Sequence, residues 1–241
     1  MRPLIRLLLL LVAALWLVFP GFGLIDLGVS WDRDWPVMLE GGWGLVCTAG
    51  LGVPTLLAVV RPRLARAIFL QLSVVGVALA VAVVLGREPQ AWWFFVLLGV
   101  DLGLLWSLDH GPVDRAVPSF VLLALAVASA PGWLAYAWWS LDQNRQSLPD
   151  GDISVGVDHY AVQGGLAIAL VALPAVAGLV CRGRRLLGTS AAVMAGYLGA
   201  ISLGWPDAVA GFDVGWSVLA VVWAVGVLVA AWVPRAVPVH S

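Results

Sequence analysis

Residues 140–163 read SLDQNRQSLPDGDISVGVDHYAVQ, the longest polar run in a chain otherwise made of apolar blocks. The run splits the sequence into two halves, and the composition on either side decides the fold class. The 241 residues are 62% hydrophobic and 11% charged, with a mean hydropathy of +0.99. That is far more apolar surface than one soluble core can hide, so the chain reads as an integral membrane protein.

Working outward from the polar run, residues 117–139 precede it and residues 161–180 follow it as apolar blocks. At about 1.5 Å per residue each is long enough to cross a hydrocarbon layer of about 30 Å. Further blocks lie at 7–25, 43–60, 67–85 and 91–108 upstream and at 186–204 and 214–233 downstream. The expectation is an all-α polytopic bundle of eight transmembrane helices, one transmembrane domain over 1–241 surrounded by the lipid bilayer. Its longer connections are 26–42 and 140–160. Arg2 and Arg6 ahead of a leucine run also resemble a signal peptide, but Phe19-Pro20-Gly21-Phe22-Gly23 offers no small-x-small cleavage site, so the block reads as an uncleaved span.

An even number of spans returns the C-terminus to the side of the N-terminus. With both termini cytoplasmic, Arg2, Arg6, Arg61, Arg63, Arg66, Arg115, Arg182, Arg184, Arg185 and Arg235 fall inside, and Arg33, Arg87 and Arg145 outside. This ten-to-three split follows the rule that basic residues gather in cytoplasmic loops, and it places the chain in the cell membrane. The acids lean the other way and make the outer surface acidic. Trp31, Trp35, Trp43, Trp92, Trp93, Trp133, Trp138, Trp139, Trp205 and Trp216 fall at or near that outer boundary. An aromatic belt at the headgroup level accounts for them, and the one-sided excess also suits rings that line an outward-facing cavity.

Composition removes several functions. The net charge is −1, and the basic clusters are short and sit beside apolar spans, so phosphates find no extended surface and no nucleic-acid partner is expected. All 13 basic residues are Arg, so no lysine can form a Schiff base and a retinal protein is excluded. Cys47 and Cys181 fall on opposite faces and cannot bridge. No Ser-His-Asp set, paired-Cys motif, HExxH or phosphate loop occurs, and neither a cofactor nor a resident metal is implied.

Two groups of residues could carry chemistry. Asp101 is the one ionisable residue inside an expected span, and it lies about 13 Å along its helix from Trp92, close to the bilayer midplane. A carboxylate there must be neutralised or partnered. No Arg is available at that depth, so the expected partners are amide and hydroxyl groups such as Gln71 and Ser73 on the neighbouring span. Gly99 and Gly103 flank it and would admit a close helix. Asp101 is then either a proton or cation site or a helix-to-helix lock. The second group lies on the acidic outer face, where Asp158 and His159 could join Asp26, Asp32 and Asp34. A single His with scattered acids is a poor metal signature, and Asp158 near the start of a helix has a structural explanation in the helix dipole. Asp150-Gly151-Asp152 opens like a calcium loop, but Ala161 stands where a bidentate Glu would be needed, so an EF-hand is rejected.

Pro54, Pro131 and Pro174 interrupt three spans, each freeing the carbonyl four residues earlier. Ala192, Gly196, Ala200 and Gly204 recur at four-residue spacing and suggest a helix-packing face within the chain or in a homo-oligomer. Three function classes follow: a small carrier, channel or membrane-complex subunit whose core includes Asp101; a membrane-embedded enzyme or metal-dependent site on the acidic face; and a structural or assembly protein with an envelope partner. The first is favoured because it alone uses the buried carboxylate, the glycine-flanked packing and the broken helices together.

Overall fold

The computed structural model describes residues 2–108, 118–146 and 153–233. His110, Asp150, Asp152, Arg115, Arg235 and His240 lie outside the described residues. The helices are α1 (Arg2–Leu17), α2 (Gly23–Val29), α3 (Val37–Leu45), α4 (Val53–Val60), α5 (Ala65–Gly86), α6 (Trp92–Trp106), α7 (Phe120–Gln146), α8 (His159–Leu179), α9 (Arg184–Gly204) and α10 (Val214–Trp232). A π-helical segment, Val46–Gly52, joins α3 to α4 without a break, so Val37–Val60 runs as one rod of 24 residues. Among the described residues, seven helical runs are long and apolar enough to cross a membrane, and one shorter apolar helix covers Pro3–Leu17. The fold is an all-helical polytopic membrane bundle.

The outward faces support that placement. Leu4, Leu7 and Leu11 of α1 and Val218, Val222, Val225 and Val229 of α10 are exposed, an amount of apolar surface that suits lipid rather than water. The core centres on α8, which packs along α7, α5, α9 and α3, while α10 pairs with α9. Gly183 lies against Ala67, which brings the arginines of 61–66 and 182–185 to one end of the bundle. The acidic segments 26–34 and 205–213 lie at the other.

Three expected boundaries move. The first span, expected at 7–25, is instead α1 ending at Leu17, then the short α2. Pro20 disfavours helical backbone at the residue before it, and Phe22 takes a left-handed φ of 53°. At about 1.5 Å per residue, α1 spans roughly 24 Å. The connection expected at 26–42 contains most of α2 and the start of α3, so the second rod begins at Val37 rather than 43. Helix α7 runs through Gln146, past the start of the central connection expected at 140. Residues 140–146 contain no Pro or Gly, and Asp142 accepts from Arg145 at 2.9 Å and Gln146 at 2.8 Å, side-chain pairs that extend a helix by a turn or more. The same turns clamp α5: Asn144 Nδ2 donates to Gly86 O at 3.0 Å and Arg145 to Leu85 O at 3.0 Å, satisfying carbonyls left open at a helix C-terminus.

The small-residue face of α9 is also redrawn. Gly196 faces Ala224, and a Cβ at Gly199 would sit 2.8 Å from Ser217 O, whereas Ala200 and Gly204 are exposed. A strict four-residue step rotates about 40° per repeat on a 3.6-residue helix, so three steps carry the stripe about 120° off the packed face.

Candidate functional site

The site grows from one proline. Pro54 has no N–H, so it cannot serve the carbonyl of Gly50 in an α-helical register or that of Ala49 in a π-helical one. Gln71, fully buried on α5, supplies a donor to both carbonyls. Its Nε2 donates to Ala49 O at 3.1 Å and Gly50 O at 3.2 Å, and its Oε1 accepts from Ser190 of α9 at 3.1 Å. Gln71 thus serves the broken rod rather than Asp101. Ser73 bonds within its own helix, to Phe69 O at 2.8 Å.

Asp101, on α6 with no exposed surface, finds different partners. Thr55, the residue after Pro54, bonds its Oδ2 at 2.6 Å, and the indole N–H of Trp16 donates to the same oxygen at 3.2 Å. The carboxyl therefore ties α1, α4 and α6 together. Its other oxygen, Oδ1, is buried with no hydrogen-bond partner among the described residues. Neither Thr55 nor Trp16 is a cation. Gly99 and Gly103, expected to admit a neighbouring helix, have open space beside them instead.

A column of aromatic rings joins Asp101 to a second polar group. Trp16 packs on Phe94 at 4.7 Å between centroids, Phe94 on Trp43 at 5.9 Å, and Trp43 stacks on His159 at 4.5 Å. His159 Nδ1 lies 3.8 Å from Glu40 Oε1, and both side chains are buried. Trp43, expected in an interfacial belt, is a core residue whose N–H donates to Gly21 O at 2.6 Å. One helical turn along α8 from His159, Gln163 donates to the Tyr136 hydroxyl at 2.8 Å, and its buried Oε1 has no partner among the described residues.

The acidic-face group expected from the sequence is dispersed. Asp158 accepts from Tyr160 N at 2.9 Å and caps α8. His159 and Asp26 are buried, while Asp32 and Asp34 are exposed on their own turn. Among the described residues no group of three or more His, Cys, Asp or Glu side chains could hold a metal. Sequence reading missed Thr55, Trp16 and Glu40. The signals were present: Thr55 directly follows the helix-breaking proline, and Glu40 stands between apolar and glycine neighbours in Met38-Leu39-Glu40-Gly41-Gly42-Trp43. No protein-family model, curated protein or solved structure matches this chain.

Proposed function

We propose that this multi-pass membrane protein is a small proton carrier or channel in which Asp101 is the working carboxyl. The observation that carries this is the half-satisfied Asp101: one oxygen holds two hydrogen bonds and the other is buried without any. A charged side chain at membrane depth costs on the order of 3 kcal/mol on insertion scales. A pure lock between helices has every reason to use both oxygens, because an unmet acceptor adds about 1–3 kcal/mol. An oxygen left open is where a transferable proton would bind. The adjoining π-helical segment gives further support, since such segments recur at functional sites. An enzyme acting from the acidic face has weaker support, because His159 lies buried beside Glu40 and Trp43 while Asp32 and Asp34 stand exposed on their own turn.

The test is proton flux. Proteoliposomes loaded with potassium and given an inside-negative potential by valinomycin should acidify their lumen faster than protein-free vesicles. Asp101→Asn, matched to the wild type in reconstituted amount and elution profile, should lower the rate at least tenfold. A wild type that moves no protons, or an Asn variant as fast as the wild type, overturns the proposal.

For orientation, the proposal keeps both termini cytoplasmic and the acidic end outside a cell membrane. Cys181 is exposed in the connection between α8 and α9, and Cys47 is buried. An impermeant maleimide should therefore label Cys181 only after cells are permeabilised. Labelling of intact cells that Cys181→Ser removes would invert the topology.

A further inference from the structure

A second site lies away from Asp101, between α7 and α10. These helices each pack closely on other partners and diverge from one another, leaving a cavity of about 580 Å3. That is within the range of roughly 300–1,000 Å3 typical of small-molecule sites. Two hydrogen bonds hold it open. At one end Trp223 of α10 donates its indole N–H to Leu125 O of α7 at 3.0 Å. At the other, the Tyr136 hydroxyl donates to Ala210 O at 2.8 Å. Trp133 packs edge-on against both Phe212 and Trp223, each at 5.9 Å, and Tyr136 against Phe212 at 4.8 Å. Gly132 makes the room: a Cβ there would stand 3.3 Å from the Trp216 ring.

Among the described residues five aromatic side chains thus line the cavity, and the one charged lining residue is Asp213. The Tyr136 hydroxyl and the Trp223 N–H are spent on the struts, so the cavity chiefly offers ring faces and a carboxylate. Ring faces attract cations through their quadrupole, most strongly where water is excluded. Asp213 also caps α10, accepting from Trp216 N at 2.9 Å. The helix end carries only about half a positive charge, so the full carboxylate charge leaves this end net negative. Among the described residues no arginine lines the cavity to oppose it.

We infer that this cleft binds an amphiphilic organic cation, with the cationic centre beside Asp213 and the apolar body between Trp133, Trp216 and Trp223. The inference stands apart from the proton-carrier proposal, because binding is measured without a gradient and without transport. A matched pair of probes separates charge recognition from plain hydrophobic uptake: tetraphenylphosphonium and tetraphenylborate share size and shape and differ in sign. Equilibrium dialysis of the full chain in uncharged maltoside micelles, corrected with protein-free micelles, should give saturable tetraphenylphosphonium binding near one per chain and none for tetraphenylborate. Asp213→Asn should weaken tetraphenylphosphonium at least tenfold with Tm unchanged, since Asn caps a helix as well as Asp does. Gly132→Leu, which fills the cavity, should abolish binding. Equal binding of the two ions would make the cleft a mere seat for hydrocarbon and overturn the inference. So would a wild type that binds neither, or an Asn variant that binds as tightly as the wild type.

Discussion

Gln71→Leu is expected to destabilise the protein by about 2–4 kcal/mol, although the two side chains are close in size and the position is apolar in its surroundings. The loss falls on groups that stay behind. Without the Gln71 amide, Ala49 O and Gly50 O lose their side-chain donor, and Pro54 cannot replace it in either helical register. The Ser190 hydroxyl loses its acceptor as well. A hydrogen bond withdrawn from a buried group costs about 1–3 kcal/mol, while interhelical bonds in membrane proteins average nearer 0.6 kcal/mol, so the loss of these three bonds falls between those limits. The mechanism has its own control. Pro54→Ala restores a backbone N–H at the break, and in that background Gln71→Leu should cost at least 1 kcal/mol less. Reversible unfolding in mixed micelles, run as a double-mutant cycle, reads both numbers. A Leu variant equally harmful in both backgrounds would show that the proline is not what Gln71 serves.

Gly42→Ala is the second substitution with a large expected effect, and its sign runs against helix propensity. In an exposed helix interior, alanine would gain about 1 kcal/mol over glycine. Here the new Cβ would overlap the Gln163 side chain. Gln163 is fully buried and held by its bond to Tyr136 at 2.8 Å, so it cannot swing aside without losing that bond. Overpacking costs about 1–3 kcal/mol and the lost hydrogen bond about 1 kcal/mol, which outweighs the propensity gain and leaves a net loss of about 1–3 kcal/mol. Adding Gln163→Ala vacates the space, so the double variant should be more stable than the sum of its singles by at least 1 kcal/mol. Strict additivity, or a Gly42→Ala protein as stable as the wild type, would mean that α3 and α8 do not approach as closely as the structure has them.

The polar run at residues 140–163 shows where sequence reading ends. Its amino acids suggest an outer loop, yet its described parts are the last turns of α7 clamping the α5 carbonyls, a two-stranded hairpin pairing Ile153 with Asp158 and Ser154 with Val157, and the first turns of α8. His159 and Gln163 belong to the core, not to an exposed face. Polarity in a short segment marks a need for hydrogen bonds. It does not say whether water or another helix meets that need.

By itself, the sequence determined the membrane class, the helical bundle and the approximate position of its long spans, because blocks of about 20 apolar residues have no other stable home. It also determined that Asp101 is buried and that Pro54 removes a backbone donor from its helix, since both follow from residue type and position along one helix. Only the tertiary structure decided that Gln71 answers Pro54 while Thr55 and Trp16 answer Asp101, that Glu40 faces His159, and that α7 and α10 part to leave an aromatic cavity. Those pairings join residues far apart in the chain. They depend on the rotation and spacing of whole helices, which the total packing of the bundle sets and no local pattern of residues encodes.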